Sequence, residues 1–135
     1  GGANLSNPHD VDNYYTWTAS GSPYPPNGTV FTDFLPRLNG ASSDGVTLAG
    51  CFADHCDWRL PTIVELQTIL LAPDPCGTSP CIAPIFGPTV ANYYWSATTY
   101  APDPSIAWVV FFGDGLMDFG LKNSFFGVRA VRTGP

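Results

Sequence analysis

Charge is what this 135-residue sequence has least of: charged residues make up 12% of it, about half the share usual in globular chains. Five Lys and Arg stand against eleven Asp and Glu, for a formal net charge of −6. A nucleic acid or a heavily sulfated glycan needs a basic patch to neutralise its phosphates or sulfates. The few cations build none, although Arg129 and Arg132 lie close together. Long apolar runs are missing too. The strongly apolar run of residues 107–112 falls far short of the roughly 20 residues that span a bilayer. No membrane-spanning segment is expected. Low-complexity runs are absent, which argues against disorder. The sequence opens on Gly1-Gly2 with neither an initiator Met nor a signal peptide, which reads as a processed or trimmed product.

What is present is apolar and aromatic. Hydrophobic residues make up 44%, with four Trp, six Tyr and nine Phe. Fourteen Gly and fourteen Pro predict many turns and few long helices. The length fits one domain over residues 1–135 with one core.

Four cysteines, at 51, 56, 76 and 81, fall into two C-x4-C pairs. Sequence does not choose among their three possible pairings. The local pairs Cys51–Cys56 and Cys76–Cys81 are favoured, each bracketing a short loop. The rival is a zinc site of four thiolates, with His55 as a further candidate ligand, but structural zinc uses tighter knuckles. Disulfides place the chain in an oxidising, extracellular location. The sequons at Asn4 and Asn27 read as chance matches.

Along the chain, Tyr15-Thr16-Trp17-Thr18 alternates as a short strand, and residues 22–28 form a loop. A helix follows, capped by Thr29 or Thr32, with Phe31, Phe34, Leu35 and Leu38 on one face. Pro36 shortens or kinks it, and Asn39-Gly40 ends it. Thr62-Ile63-Val64-Glu65 is a capping box. It opens a helix striped by Ile63, Leu66, Ile69 and Leu70 and stopped by Pro73. Residues 93–100, 107–112 and 125–131 read as strands, with a turn at Gly113-Asp114-Gly115. Trp108, Val110 and Phe112 should share one face, Val109 and Phe111 the other.

Taken together, these pieces resemble a family. Asp57-Trp58-Arg59-Leu60-Pro61-Thr62 with Glu65-Leu66 is similar to the signature of the DUF1566, or Lcl C-terminal-like, domain. So are His9-Asp10-Val11-Asp12-Asn13 with Tyr15-Thr16-Trp17, Phe34-Leu35 with Leu38-Asn39, Tyr94-Trp95-Ser96, Ala107-Trp108-Val109-Val110 and Val128-Arg129-Ala130-Val131-Arg132. The resemblance covers nearly the whole chain. It implies an α+β, C-type-lectin-like fold, with two short helices packed on a twisted antiparallel sheet with long loops. It also implies an exported bacterial protein that serves adhesion or ligand binding. Members usually carry an upstream strand with a Trp that this chain lacks, and the position of Phe111 is often polar among them.

The Arg-Leu-Pro-Thr element also resembles the formylglycine-generating enzymes, but those need a late cysteine pair and nothing follows Cys81. No Ser-His-Asp set or paired carboxylates emerge, and His9 and His55 sit in loop-like surroundings. An enzyme is therefore not expected. Trp58, Trp95 and Trp108 read as core residues. Arg59 and Arg129 read as members of buried ion pairs with Asp57 or Glu65, and Thr62 and Glu65 as the helix cap. The informative region is 111–125, an outer hairpin holding more large apolar side chains than a core can take: Phe111, Leu116, Met117, Phe119, Leu121, Phe125 and Phe126. Such a cluster marks an interface. Candidate contact residues are Tyr100, Phe111, Asp114, Met117, Asp118, Phe119, Lys122 and Phe125. Asp114 and Asp118 could also supply oxygens to calcium; no other cofactor is indicated. The expected partner is a protein or glycan at the cell surface. The alternative is copies of the chain itself, as a subunit of a surface assembly or filament.

Overall fold

A computed structural model describes residues 3–40, 50–71 and 76–133. Its centre is a three-stranded antiparallel sheet of β1 (Tyr93–Thr99), β2 (Ile106–Phe111) and β3 (Leu116–Leu121), ordered β1-β2-β3. The chain is thus a small α+β structure with few, short helices. The aromatic and β-branched content of β1 and β2 suits a pleated surface. Between β2 and β3, Gly115 adopts φ +83°, a left-handed conformation open to glycine at little cost. Its N–H donates to the Phe111 carbonyl at 2.8 Å, and Asp114 Oδ1 accepts the Leu116 N–H at 2.9 Å.

Both faces of β2 contribute to a core. Ala107 and Val109 of β2 join Trp95, Tyr15, Trp17, Val30, Phe34 and Leu38 in one core. Val110 and Phe112 join Tyr94, Leu66 and Ile82 in the other. This is the alternation expected of the strand; Phe111, at its end, keeps to the face of Val109 and leans on Tyr93 with ring centroids 4.8 Å apart. Trp95 is fully buried. Its indole donates to the Tyr15 carbonyl at 2.7 Å, and its backbone N–H to the Gly127 carbonyl at 3.0 Å.

The first helical stretch is a π turn (Val30–Phe34) running into α1 (Leu35–Leu38). The Leu35 N–H reaches back to the Val30 carbonyl. The widened turn seats Pro36, which has no N–H, in the first turn of α1, where none is needed. Neither threonine caps it as expected. Thr29 Oγ1 accepts the Thr16 N–H at 2.9 Å instead, and Thr32 Oγ1 donates back to the Gly28 carbonyl. The Asn39 N–H closes on Leu35 at 3.0 Å, and Gly40, at φ +96°, ends the stretch.

Helix α2 (Ile63–Gln67) carries the full capping box. Thr62 Oγ1 accepts the Glu65 N–H at 3.2 Å, and Glu65 Oε1 accepts the Thr62 N–H at 2.9 Å. The helix is shorter than its stripe. Thr68 Oγ1 donates to the Glu65 carbonyl at 2.6 Å, and Leu70 instead bridges to Ile82. Pro73 lies outside the described residues. Arg59 holds Glu65 in a two-pronged pair, both contacts at 2.7 Å. The pair is about two-fifths exposed (39% and 38%) rather than buried, and Asp57 pairs with Arg132.

Two expected strands are corrected. Residues 15–18 contribute one bridge, Tyr15 to Phe126, and residues 125–131 only isolated bridges to Tyr15, Tyr94 and Arg59. All four side chains of residues 15–18 are buried, which a half-exposed strand cannot do. The cysteines form the two local disulfides, Cys51–Cys56 and Cys76–Cys81, which removes the zinc alternative.

Two outcomes follow. The Arg59 guanidinium, followed by the Thr62 N–H, holds the Glu65 carboxyl down to about 2 from an ordinary 4.5. A carboxylate depressed on folding stabilises fully above its unfolded value and loses that effect as pH falls towards the folded one. Glu65→Gln should therefore cost about 1 kcal/mol at neutral pH, a figure already reduced for exposure. Urea titrations should show the gap closing between pH 4.5 and about 2. Separately, a Cβ on Gly120 would stand 2.8 Å from both Val109 and Phe126 and 2.9 Å from Trp95. Gly120→Ala should cost about 1–3 kcal/mol by overpacking, read as a lower Tm.

Candidate functional site

Strand β3 is an edge. The Lys122 N–H donates to the Ser105 carbonyl at 2.9 Å, on the β2 side. By the two-residue alternation of a strand, Gly120, Asp118 and Leu116 turn their backbone groups towards β2, and Met117, Phe119 and Leu121 turn theirs outward. No other strand pairs with this edge among the described residues. Asp118 Oδ1 takes the Phe119 N–H at 2.7 Å, a local blunting of the edge.

The side chains are as open as the backbone. Leu116, Met117, Phe119, Leu121 and Phe125 are 41–66% exposed; Met117, Phe119 and Leu121 share one face of β3 as an apolar row. Phe119 is braced from below: its ring lies 4.7 Å from Trp108 and 4.6 Å from Tyr100, and Tyr100 stands edge-on to Trp108 at 5.5 Å. A braced aromatic meets a partner with little further loss of side-chain freedom. The disulfide loop supports the turn before β3. Cys76 donates its N–H to the Asp114 carbonyl at 2.8 Å, and Cys81 to Phe112 at 2.6 Å.

Of the expected contact residues, the structure thus brings Met117, Asp118, Phe119 and Phe125 to the surface, with Tyr100 half-buried beneath them. Lys122 is corrected. It is 2% exposed, its ammonium 3.9 Å from the Trp17 ring centroid and donating to Thr99 Oγ1 at 2.9 Å. Burial pushes its pKa down. Alternation from Gly120 would have placed it on the core side. Phe111 is half-buried against Tyr93. Asp114 and Asp118 are engaged by backbone N–H groups, and the Tyr93 hydroxyl reaches Asp118 at 3.5 Å. Among the described residues, no three His, Cys, Asp or Glu side chains gather to hold a metal.

A second feature has no counterpart in the sequence reading. A cavity of about 400 Å³ is lined by the 8–13 loop, Phe52, Trp58, Tyr94 and Arg129, among others. Arg129 makes no ion pair with Asp57 or Glu65, contrary to expectation. It braces the 86–89 loop through the Phe86 and Pro88 carbonyls and the Thr89 hydroxyl.

The sequence pattern of the Lcl C-terminal domain matches residues 9–132, and so takes in the sheet, both helices and both disulfides. The chain belongs to the Lcl C-terminal domain family. No curated protein matches it, and no solved structure does. In this Lcl C-terminal domain no described helix is long and apolar enough to cross a membrane.

The two classes of residue on the hairpin should separate in stability measurements. Phe125→Ser should shift the unfolding free energy by less than about 0.5 kcal/mol, as exposed substitutions do, and Phe119→Ser should cost about 1 kcal/mol, because its ring contacts with Trp108 and Tyr100 are lost. Lys122→Ala should cost about 1–3 kcal/mol, because the buried stem and its hydrogen bond are lost. Chemical denaturation of the three variants checks the order.

Proposed function

We propose that this chain is a non-enzymatic extracellular binding or adhesion domain of a bacterial surface or secreted protein, of C-type-lectin-like fold. It engages a protein or glycan ligand through the apolar row of β3 and Phe125. One observation carries the reading: three large apolar side chains, Met117, Phe119 and Leu121, are exposed on one face of the edge strand β3. Scattered exposed apolar residues are ordinary, whereas a contiguous set marks an interaction site. The two disulfides fit an oxidising, extracellular location. The low content of basic residues, five in all, argues against a polyanionic partner.

A second reading is a structural subunit of an extracellular assembly or filament. The outward-turned backbone of Met117, Phe119 and Leu121 favours it, since an open edge can accept a strand from another copy. Both readings use the same surface.

The test is the double variant Phe119→Ser/Phe125→Ser. Its mass in solution is measured by light scattering, and its retention on cell-surface protein and glycan arrays is compared with the unaltered chain. A stable monomer that loses array retention supports the binding domain. Loss of large regular assemblies formed by the unaltered chain supports the subunit. Unchanged mass and unchanged retention contradict the assignment of this face.

A further inference from the structure

Four arginines are described, and three have an acid: Arg37 with Asp33, Arg59 with Glu65, Arg132 with Asp57. Arg129 has none among the described residues. Its contacts go to neutral oxygens, Nη1 to the Phe86 carbonyl at 3.1 Å and Nη2 to the Pro88 carbonyl at 3.5 Å and the Thr89 hydroxyl. A guanidinium has five N–H donors, so donor capacity is left over, and its Nε–H is buried with no acceptor. Burial pushes its pKa down. A part-buried cation without a counter-charge is costly.

This arginine lines the cavity of about 400 Å³, a size within the roughly 300–1,000 Å³ of small-ligand pockets. Trp58, Tyr94 and Phe52 supply aromatic wall, and the His9 ring lies tilted against Phe52 with centroids 4.4 Å apart. Asn13, 4% exposed, also lines it and has its Oδ1 without a partner. Asp10 is the one acid in the wall, and its Oδ1 holds the Asp12 N–H at 3.0 Å.

We propose that this cavity binds an organic monocarboxylate, with its carboxylate on Arg129 and an apolar or aromatic body against Trp58 and Tyr94. Asp10 selects against further negative charge. The carboxylate can belong to a free small acid or to the C-terminus of a peptide. The site is separate from the apolar row of β3 and does not depend on it.

The experiment is an NMR titration of the isotope-labelled chain with phenylacetate, phenylacetamide and N-acetyl-Ala-Phe. Of the four Trp, Trp58 alone lines the cavity, so its indole N–H is the readout, together with Arg129 Nε–H. Saturable shifts with the carboxylates are expected, with the amide about tenfold weaker or worse, because a charge-assisted hydrogen bond is lost. Tighter binding of the peptide assigns the site to a chain terminus; tighter phenylacetate assigns it to a free acid. Arg129→Gln should bring acid and amide to the same affinity. If that variant fails to fold, the acid–amide comparison on the unaltered chain still decides. Equal affinity for phenylacetate and phenylacetamide overturns the proposal. So does the absence of any saturable Trp58 shift with both carboxylates.

Discussion

The burial of Trp95 is the constraint on which the other elements depend. A three-stranded sheet is too small to hold itself, and β1 has a strand partner on one side only. On the other side its backbone is held by single contacts, Trp95 N–H to Gly127 and Ala97 N–H to Pro61. The indole reaches the Tyr15 carbonyl, and Tyr15 in turn exchanges both backbone hydrogen bonds with Phe126. One side chain thereby ties the early segment, the late segment and the middle of the sheet. Gly120 lets β3 pass close to the same ring, with no room for a methyl group.

That arrangement explains why function gathers at the far edge. β2 is the central strand, paired on both sides, so it has no open edge to offer. β1 is braced by irregular segments. β3 alone keeps an outward edge and an apolar row, and the Tyr100–Trp108–Phe119 cluster beneath stiffens it. The Cys76–Cys81 loop holds the turn from which the strand starts. Low charge compounds the effect: with one acid, Asp118, in β3, little besides the local Asp118–Phe119 contact discourages pairing.

Features set by near neighbours were legible in the sequence. The Thr62–Glu65 capping box spans three residues and needs no tertiary partner, and the Gly113-Asp114-Gly115 turn and the bodies of β1 and β2 follow local pattern. The local disulfides were the favoured of three pairings, and the structure decides among them. The ends of the chain were not legible as they are. Residues 15–18 and 125–131 have strand-like composition, but each serves as a seam, with isolated backbone bridges and side chains packed by distant neighbours. Lys122 looked like a surface cation because charge ordinarily stays in water, whereas Trp17 and Thr99 give this one a buried seat. The cavity was invisible for the same reason. His9 and Asn13 meet Arg129 from opposite ends of the chain, and nothing local to either marks the meeting.

The central claim is that β3 is an open, accessible edge of an otherwise closed sheet. Amide hydrogen exchange in the native chain, resolved by residue, tests it most directly. The account predicts fast exchange at Met117 and Leu121, whose N–H groups turn outward. Asp118 and Gly120, bonded to β2, should exchange slowly. Strong protection of Met117 and Leu121 in the monomer would contradict it, because that edge would then already be covered by the chain itself.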